Sequence, residues 1–205
     1  MSEKPFRERR LLHVLSLCYA IVWITAALDP VKRSDWLLEN LLVFAFVPGL
    51  IFAYRRLPLS DVSYILIFIF LVMHAAGAHY TYAEVPLGYW LKDMFQLQRN
   101  HFDRIVHFSF GIMAYPIQEV LMRAMQARGF WAWLLPVAIT VSFSGFFEII
   151  ESVIAMLVNP ELGAAYLGLQ GDVWDAQKDM GLAVLGAVLT VSASAFTAGN
   201  RKAPP

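Results

Sequence analysis

The sequence predicts an all-α fold, a polytopic membrane helix bundle of about six transmembrane helices with both termini on the cytoplasmic side (N-in/C-in). Three observations predict it. Of 205 residues, 59% are hydrophobic and only 16% charged, against about 45–50% and 25% in soluble domains; mean hydropathy is +0.56. Apolar stretches long enough to cross a hydrocarbon core of roughly 30 Å recur along the chain. Lys and Arg favour alternate connections, the bias that sets orientation. The formal net charge of +0 leaves no basic surface for nucleic acid, so the expected partner is membrane lipid. Oligomeric state has no signature in the sequence. A single cysteine, Cys18, excludes an internal disulfide and reads as a small apolar residue.

The apolar stretches fall at residues 11–28, 36–54, 59–78, 103–125, 131–158 and 178–198. The first follows Arg7, Arg9 and Arg10 but lacks a small-residue cleavage site, and is read as a retained helix. Lys4 and those arginines, Arg55 and Arg56, Arg123 and Arg128, and Arg201 and Lys202 then share the cytoplasmic side. On that side the connections are short turns. The opposite ones, 79–102 and 159–177, are long, and long connections tend to carry function. Within a single integral membrane domain of residues 1–205, residues 79–102 read as an outer aromatic loop or interfacial helix, rich in Tyr80, Tyr82, Tyr89, Trp90, Phe95 and Phe102. Residues 159–177 read as an outer acidic loop.

Threading the helices alternately outward and inward gathers the unusual polar residues at the outer level. His74 and His79 end the third span; His101, Asp103, Arg104 and His107 begin the fourth. Glu148 and Glu151 lie in the outer half of the fifth, Asp172, Asp175 and Asp179 at the start of the sixth, and Glu39 and Asn40 near the outer end of the second. Asp103 and His107 are four apart and share a helix face, about 40° from each other. Ser144, Glu148 and Glu151 form one stripe, and Asp172, Asp175 and Asp179 repeat the interval if the sixth helix begins near Gly171.

Imidazoles with carboxylates are the ligand set of Zn, Mn or Fe, and this many carboxylates at one depth need positive charge beyond Arg104 and Lys178. The expected metal ligands are His74, His79, His101, Asp103, His107, Asp172, Asp175 and Asp179, with Glu148, Glu151 and Arg104 as catalytic groups. Plain structural roles compete: helix capping for Asp172 and Asp175, interfacial hydrogen bonding for His79 and His101. His74 and His79, five apart, do not share a face of an unbroken helix. Glu119 stands apart, four residues from Arg123, and pairs with it.

Three blocks carry a family resemblance: His74-Ala75-Ala76-Gly77-Ala78-His79-Tyr80-Thr81-Tyr82, Arg99-Asn100-His101-Phe102-Asp103-Arg104 with His107-Phe108, and the run from Gly168 to Met180 that holds Asp172, Asp175 and Asp179. Through them the chain resembles the YjdF-like proteins, a family of unknown function in the bacterial inner (cytoplasmic) membrane, over nearly its whole length. A fainter similarity is to VanZ-like membrane proteins, whose pattern Asp103, His107-Phe108, Glu148 or Glu151, and Asp179 would fill. These resemblances imply a multi-pass inner-membrane protein and name no substrate. The function expected from the residues is a metal-dependent enzyme at the outer face acting on lipid or isoprenoid headgroups. The alternatives are a proton- or cation-coupled transporter and a non-catalytic scaffold.

Overall fold

The computed structural model describes residues 6–200; Lys4, Arg201 and Lys202, part of the charge bias, lie outside them. Inside a bilayer every backbone N–H and C=O must find a partner within the chain, and helices meet that demand segment by segment. Among the described residues the regular structure is accordingly all helical. It comprises α1 (Arg10–Leu28), α2 (Arg33–Tyr54), α3 (Asp61–Tyr80), α4 (Pro86–Phe95), α5 (Phe102–Ile112), α6 (Ala114–Ala124), α7 (Trp131–Leu157), α8 (Pro160–Leu167) and α9 (Asp175–Asn200), with 3-10 turns at Phe6–Glu8 and Tyr82–Glu84. Among the described residues six segments are long and apolar enough to cross a membrane: α1, α2, α3, the α5–α6 pair, α7 and α9.

The fourth span, expected as one helix, is broken at Met113. The Met113 N–H donates to the Phe110 carbonyl at 2.9 Å, a tightened i→i−3 turn. Pro116, with no N–H of its own, removes one rung of the ladder immediately afterwards.

Residues 6–103 with 150–173 form one compact unit, and residues 104–149 with 174–200 a second. In the first, α1 and α2 pack with α3, and α2 also meets α8. Trp23 Nε1 donates to Asn40 Oδ1 at 2.7 Å, and the Asn40 amide donates to the Trp36 carbonyl at 2.8 Å, so the fully buried Asn40 ties α1 to α2. Toward the Arg55 end, α1, α2 and α3 enclose an apolar cleft of about 900 Å³ lined by Leu12, Tyr19, Val43, Pro48, Ile67 and Leu71 among others.

In the second unit, small residues bring backbones together. A Cβ placed on Gly186 would lie 2.4 Å from the Phe108 carbonyl oxygen, and one on Gly111 would lie 2.4 Å from that of Ala183. α5 and α9 therefore pack main chain to main chain, as small residues allow in membrane helices. Ala114, Ala187 and Val191 form the adjoining buried core, with Val137 of α7 against it. Gln118 binds three helices: its Nε2 donates to the Ala132 carbonyl at 2.8 Å, and its Oε1 accepts from the Ser194 hydroxyl at 2.7 Å.

Both long connections contain a helix. α4 starts on Pro86 and stops at Gln96 in the left-handed conformation; it exposes Leu87, Tyr89, Trp90, Met94 and Phe95. α8 starts at Asn159, whose side chain accepts from the Leu162 N–H at 2.9 Å, and ends at Gly168.

Candidate functional site

In the second unit the polar residues of three helices converge. The close approach of α5 and α9 sets Arg104 against Asp175: its Nη2 donates to Asp175 Oδ1 at 3.3 Å, with the carboxylate 3% exposed. One turn on, His107 Nε2 lies 3.5 Å from Glu148 Oε1 of α7. The Phe147 ring packs against the imidazole edge-on at 6.0 Å. Asp179, one turn beyond Asp175, is buried on the same face of α9.

The boundary between the units falls inside α5, immediately before Arg104. Because α5 is unbroken there, Asp103 is carried on its first turn with His107. Asp103, His107 and Asp179 each offer one ligand atom, and these atoms lie within 4.8 Å of one another. Two carboxylates and an imidazole at that separation can hold one divalent ion. The contact from Glu148 to His107 has the form of the outer carboxylate that orients a metal-binding imidazole.

The first unit holds a different cluster. His74 Nε2 lies 3.2 Å from the Glu39 backbone carbonyl, which only accepts, so this nitrogen carries the proton. Nδ1 then accepts from the Tyr82 hydroxyl. Both ring nitrogens of His74 are thus in use. Tyr82 reaches it because Thr81 turns the chain at φ 59 and because Gly77 has no side chain: a Cβ there would lie 2.6 Å from the Tyr82 ring. Burial raises the Tyr82 phenol well above its usual range, and the charges of Glu39 and Glu151 add to that. The Tyr166 phenol on α8 is raised likewise, by burial first and then by Glu39, Glu151 and Asp35.

The two long connections are clamped together within this unit. Arg99 Nη1 donates to the Leu169 carbonyl at 3.1 Å and Nη2 to that of Gly168 at 3.4 Å, while Asp172 lies 3.7 Å from the guanidinium. Asn100 exchanges two bonds with the Gln170 amide, at 3.0 and 2.9 Å, and its own amide donates to the Val85 carbonyl at 3.0 Å. Gly88 makes room for it: a Cβ at that position would lie 1.7 Å from Asn100 Oδ1.

Of the residues singled out from sequence, Arg104, His107, Glu148, Asp175 and Asp179 come together in the second unit, with Asp103 on the shared helix. His74 and Glu151 belong to the Tyr82 and Tyr166 cluster. Asp172 precedes α9, which begins at Asp175 rather than near Gly171, and faces Arg99. His79 donates from Nδ1 to the Ala26 carbonyl at 2.9 Å, and His101 is half-buried before α5. Sequence reasoning placed Tyr82 only in the aromatic connection and a family block, and passed over Tyr166. The signal for Tyr82 was present: a phenol eight residues after a helix-borne His, with a glycine between them.

These features define a multi-pass helical membrane protein with a buried histidine–carboxylate cluster that could hold a metal. The chain belongs to the family described as "Predicted membrane protein (DUF2238)", which matches residues 11–200. It is 34% identical over 184 residues to the inner membrane protein YjdF of Escherichia coli (strain K12), covering 88% of this chain and 87% of that one. No solved structure matches it.

Proposed function

We propose that the chain is a membrane-embedded, metal-dependent enzyme acting on the phosphate-bearing headgroup of a lipid or isoprenoid at the outer face of the membrane. The observation that carries this reading is the convergence of Asp103, His107 and Asp179 ligand atoms within 4.8 Å. Three protein ligands leave open positions on the ion, the condition for a catalytic rather than a closed structural site. A divalent metal bound there supplies a Lewis acid and lowers the pKa of its bound water toward about 7. Glu148, 3.5 Å from His107, fixes the imidazole and stands as proton acceptor. Arg104, paired with Asp175, is the cationic group of the site that would attract an anionic headgroup. The residues matching the VanZ-like pattern, Asp103, His107-Phe108, Glu148 or Glu151, and Asp179, include the three proposed ligands. The outer-face assignment follows from the N-in/C-in threading.

Elemental analysis after mild chelation tests the proposal. Wild-type protein should retain about one Zn, Mn or Fe per chain, and Asp179→Asn and His107→Ala should lose it while keeping their helical circular dichroism. Wild-type protein that is metal-free and cannot be reloaded would overturn the reading.

A further inference from the structure

Asp35 and Glu39 lie one turn apart on α2 and face the same way. They are 1% and 3% exposed. Asp35 Oδ1 and Glu39 Oε2 are each buried with no hydrogen-bond partner among the described residues. Lys32 is exposed and acts on Asp35 only at longer range. Asp35 is itself one of the charges acting on Glu39, and Asp103 is the other. Asp35 stands in the first turn of α2, where the helix dipole favours a carboxylate, yet its Oδ1 remains without a hydrogen-bond partner. Buried carboxylates inside a membrane segment are costly, and each uncompensated one calls for a physical cause.

The surrounding groups narrow that cause. Tyr82 and Tyr166 both feel the charge of Glu39, and Tyr166 that of Asp35 as well. Burial keeps both phenols protonated, so they offer neutral oxygens. His74 offers no free lone pair, because its nitrogens are spent on the Glu39 carbonyl and on Tyr82. The available donors are all oxygen, with two formal negative charges among them. Oxygen-only sets suit hard cations, whereas imidazole is the mark of Zn or Fe sites. The first turn of α2, which carries Asp35, is next in sequence to the connection before that helix.

We propose that Asp35 and Glu39 form a binding site for a hard divalent cation of the Ca²⁺ or Mg²⁺ type, with the Tyr82 and Tyr166 hydroxyls as neutral neighbours. This site feels the charge of Asp103 but uses neither His107 nor Asp179 as a ligand, so it does not require the α5–α9 metal reading. The test uses the full-length chain carrying His107→Ala, which disables the α5–α9 cluster, in lipid nanodiscs with Ca²⁺ as the probe. Ca²⁺ should bind in equilibrium dialysis and raise the unfolding temperature. Adding Glu39→Gln, and separately Asp35→Asn, should weaken binding by at least about tenfold and abolish the thermal shift. In the absence of Ca²⁺ the Glu39→Gln protein should unfold no earlier than its parent, which separates loss of a ligand from loss of the fold. The proposal is overturned if the parent takes up no Ca²⁺, or if both neutralised variants bind it equally well. Zn²⁺ retention by the chain with His107 intact is measured separately, so the two sites can fail independently.

Discussion

The cluster of α5, α7 and α9 and the cluster around α2 and α3 bury acidic groups by opposite means. In the first, Asp175 faces Arg104 at 3.3 Å and Glu148 faces His107 at 3.5 Å. In the second, the neighbours of Glu39 and Asp35 include phenols and an imidazole hydrogen-bonded at both nitrogens, and the charges acting on Glu39 are those of the acids Asp35 and Asp103. A buried ion pair is most sensitive to the loss of one partner, because the other charge is then stranded. A carboxylate with no counter-charge should respond in reverse and gain from neutralisation. The same amino acid, mutated the same way, is therefore expected to have opposite effects in the two regions.

The largest effect should come from prising apart the helices that create the first cluster. Gly186→Leu places a side chain where even a Cβ meets the Phe108 carbonyl at 2.4 Å, and main chain cannot swing aside as a long side chain can. A cost of about 3 kcal/mol is expected, at the upper end for overpacking, together with loss of the Arg104–Asp175 bond and of metal retention. Equilibrium unfolding in mixed micelles reads the first and elemental analysis the second. Wild-type stability in this variant would mean that α5 and α9 do not pack through their backbones.

Next in size is the contrast itself. Arg104→Ala removes the guanidinium that faces Asp175, 3% exposed, and should cost about 2 kcal/mol, below the full value for a buried pair because Arg104 is 18% exposed. Arg104→Ala with Asp175→Ala should recover part of that loss. Glu39→Gln in cation-free buffer should be neutral or stabilising by about 0.5 kcal/mol. A double-mutant cycle on the first pair and a single unfolding curve on the second decide it. If Glu39→Gln is as damaging as Arg104→Ala, Glu39 has a partner and the contrast collapses.

Much of this was legible in the sequence, for a definable reason. Spans announce themselves because burying a helix in lipid demands an unbroken run of apolar side chains. Helix-borne pairs such as Asp103 with His107, Asp175 with Asp179, and Glu119 with Arg123, whose guanidinium donates at 2.8 Å, follow from the 3.6-residue repeat. What escaped depends on the path of the chain outside the helices. Nothing in the residue type marks Thr81 for a left-handed turn, which a β-branched side chain resists. Without that turn Tyr82 cannot be placed over Gly77. Arg99 and Asn100 read as polar loop residues until their partners, backbone carbonyls some 70 positions away and the Gln170 amide, are known. The start of α9 at Asp175 leaves Asp172 off the helical stripe; the positive φ of Gln170 and Gly171, 47° and 85°, marks a turn where the helix would have had to begin for all three acids to share it.

The smallest expected effect concerns the phenol that replaces a charge in the second cluster. Tyr82→Phe leaves His74 Nδ1 without its donor and should cost about 1 kcal/mol near neutral pH. That difference should depend on pH in one direction only. The folded-state phenol is raised well above its ordinary value by burial and by the charges near it, Glu39 foremost. Between the ordinary value of about 10 and the raised one, the unfolded chain has released a proton that the folded chain still holds. Stability from this group is therefore complete below about pH 10 and falls as pH rises above it. Unfolding curves of wild type and Tyr82→Phe at about pH 8 and about pH 11 should show the gap between the proteins narrowing at the higher pH. A gap unchanged between the two would place the Tyr82 hydroxyl in water and remove the neutral donor on which the second cluster depends.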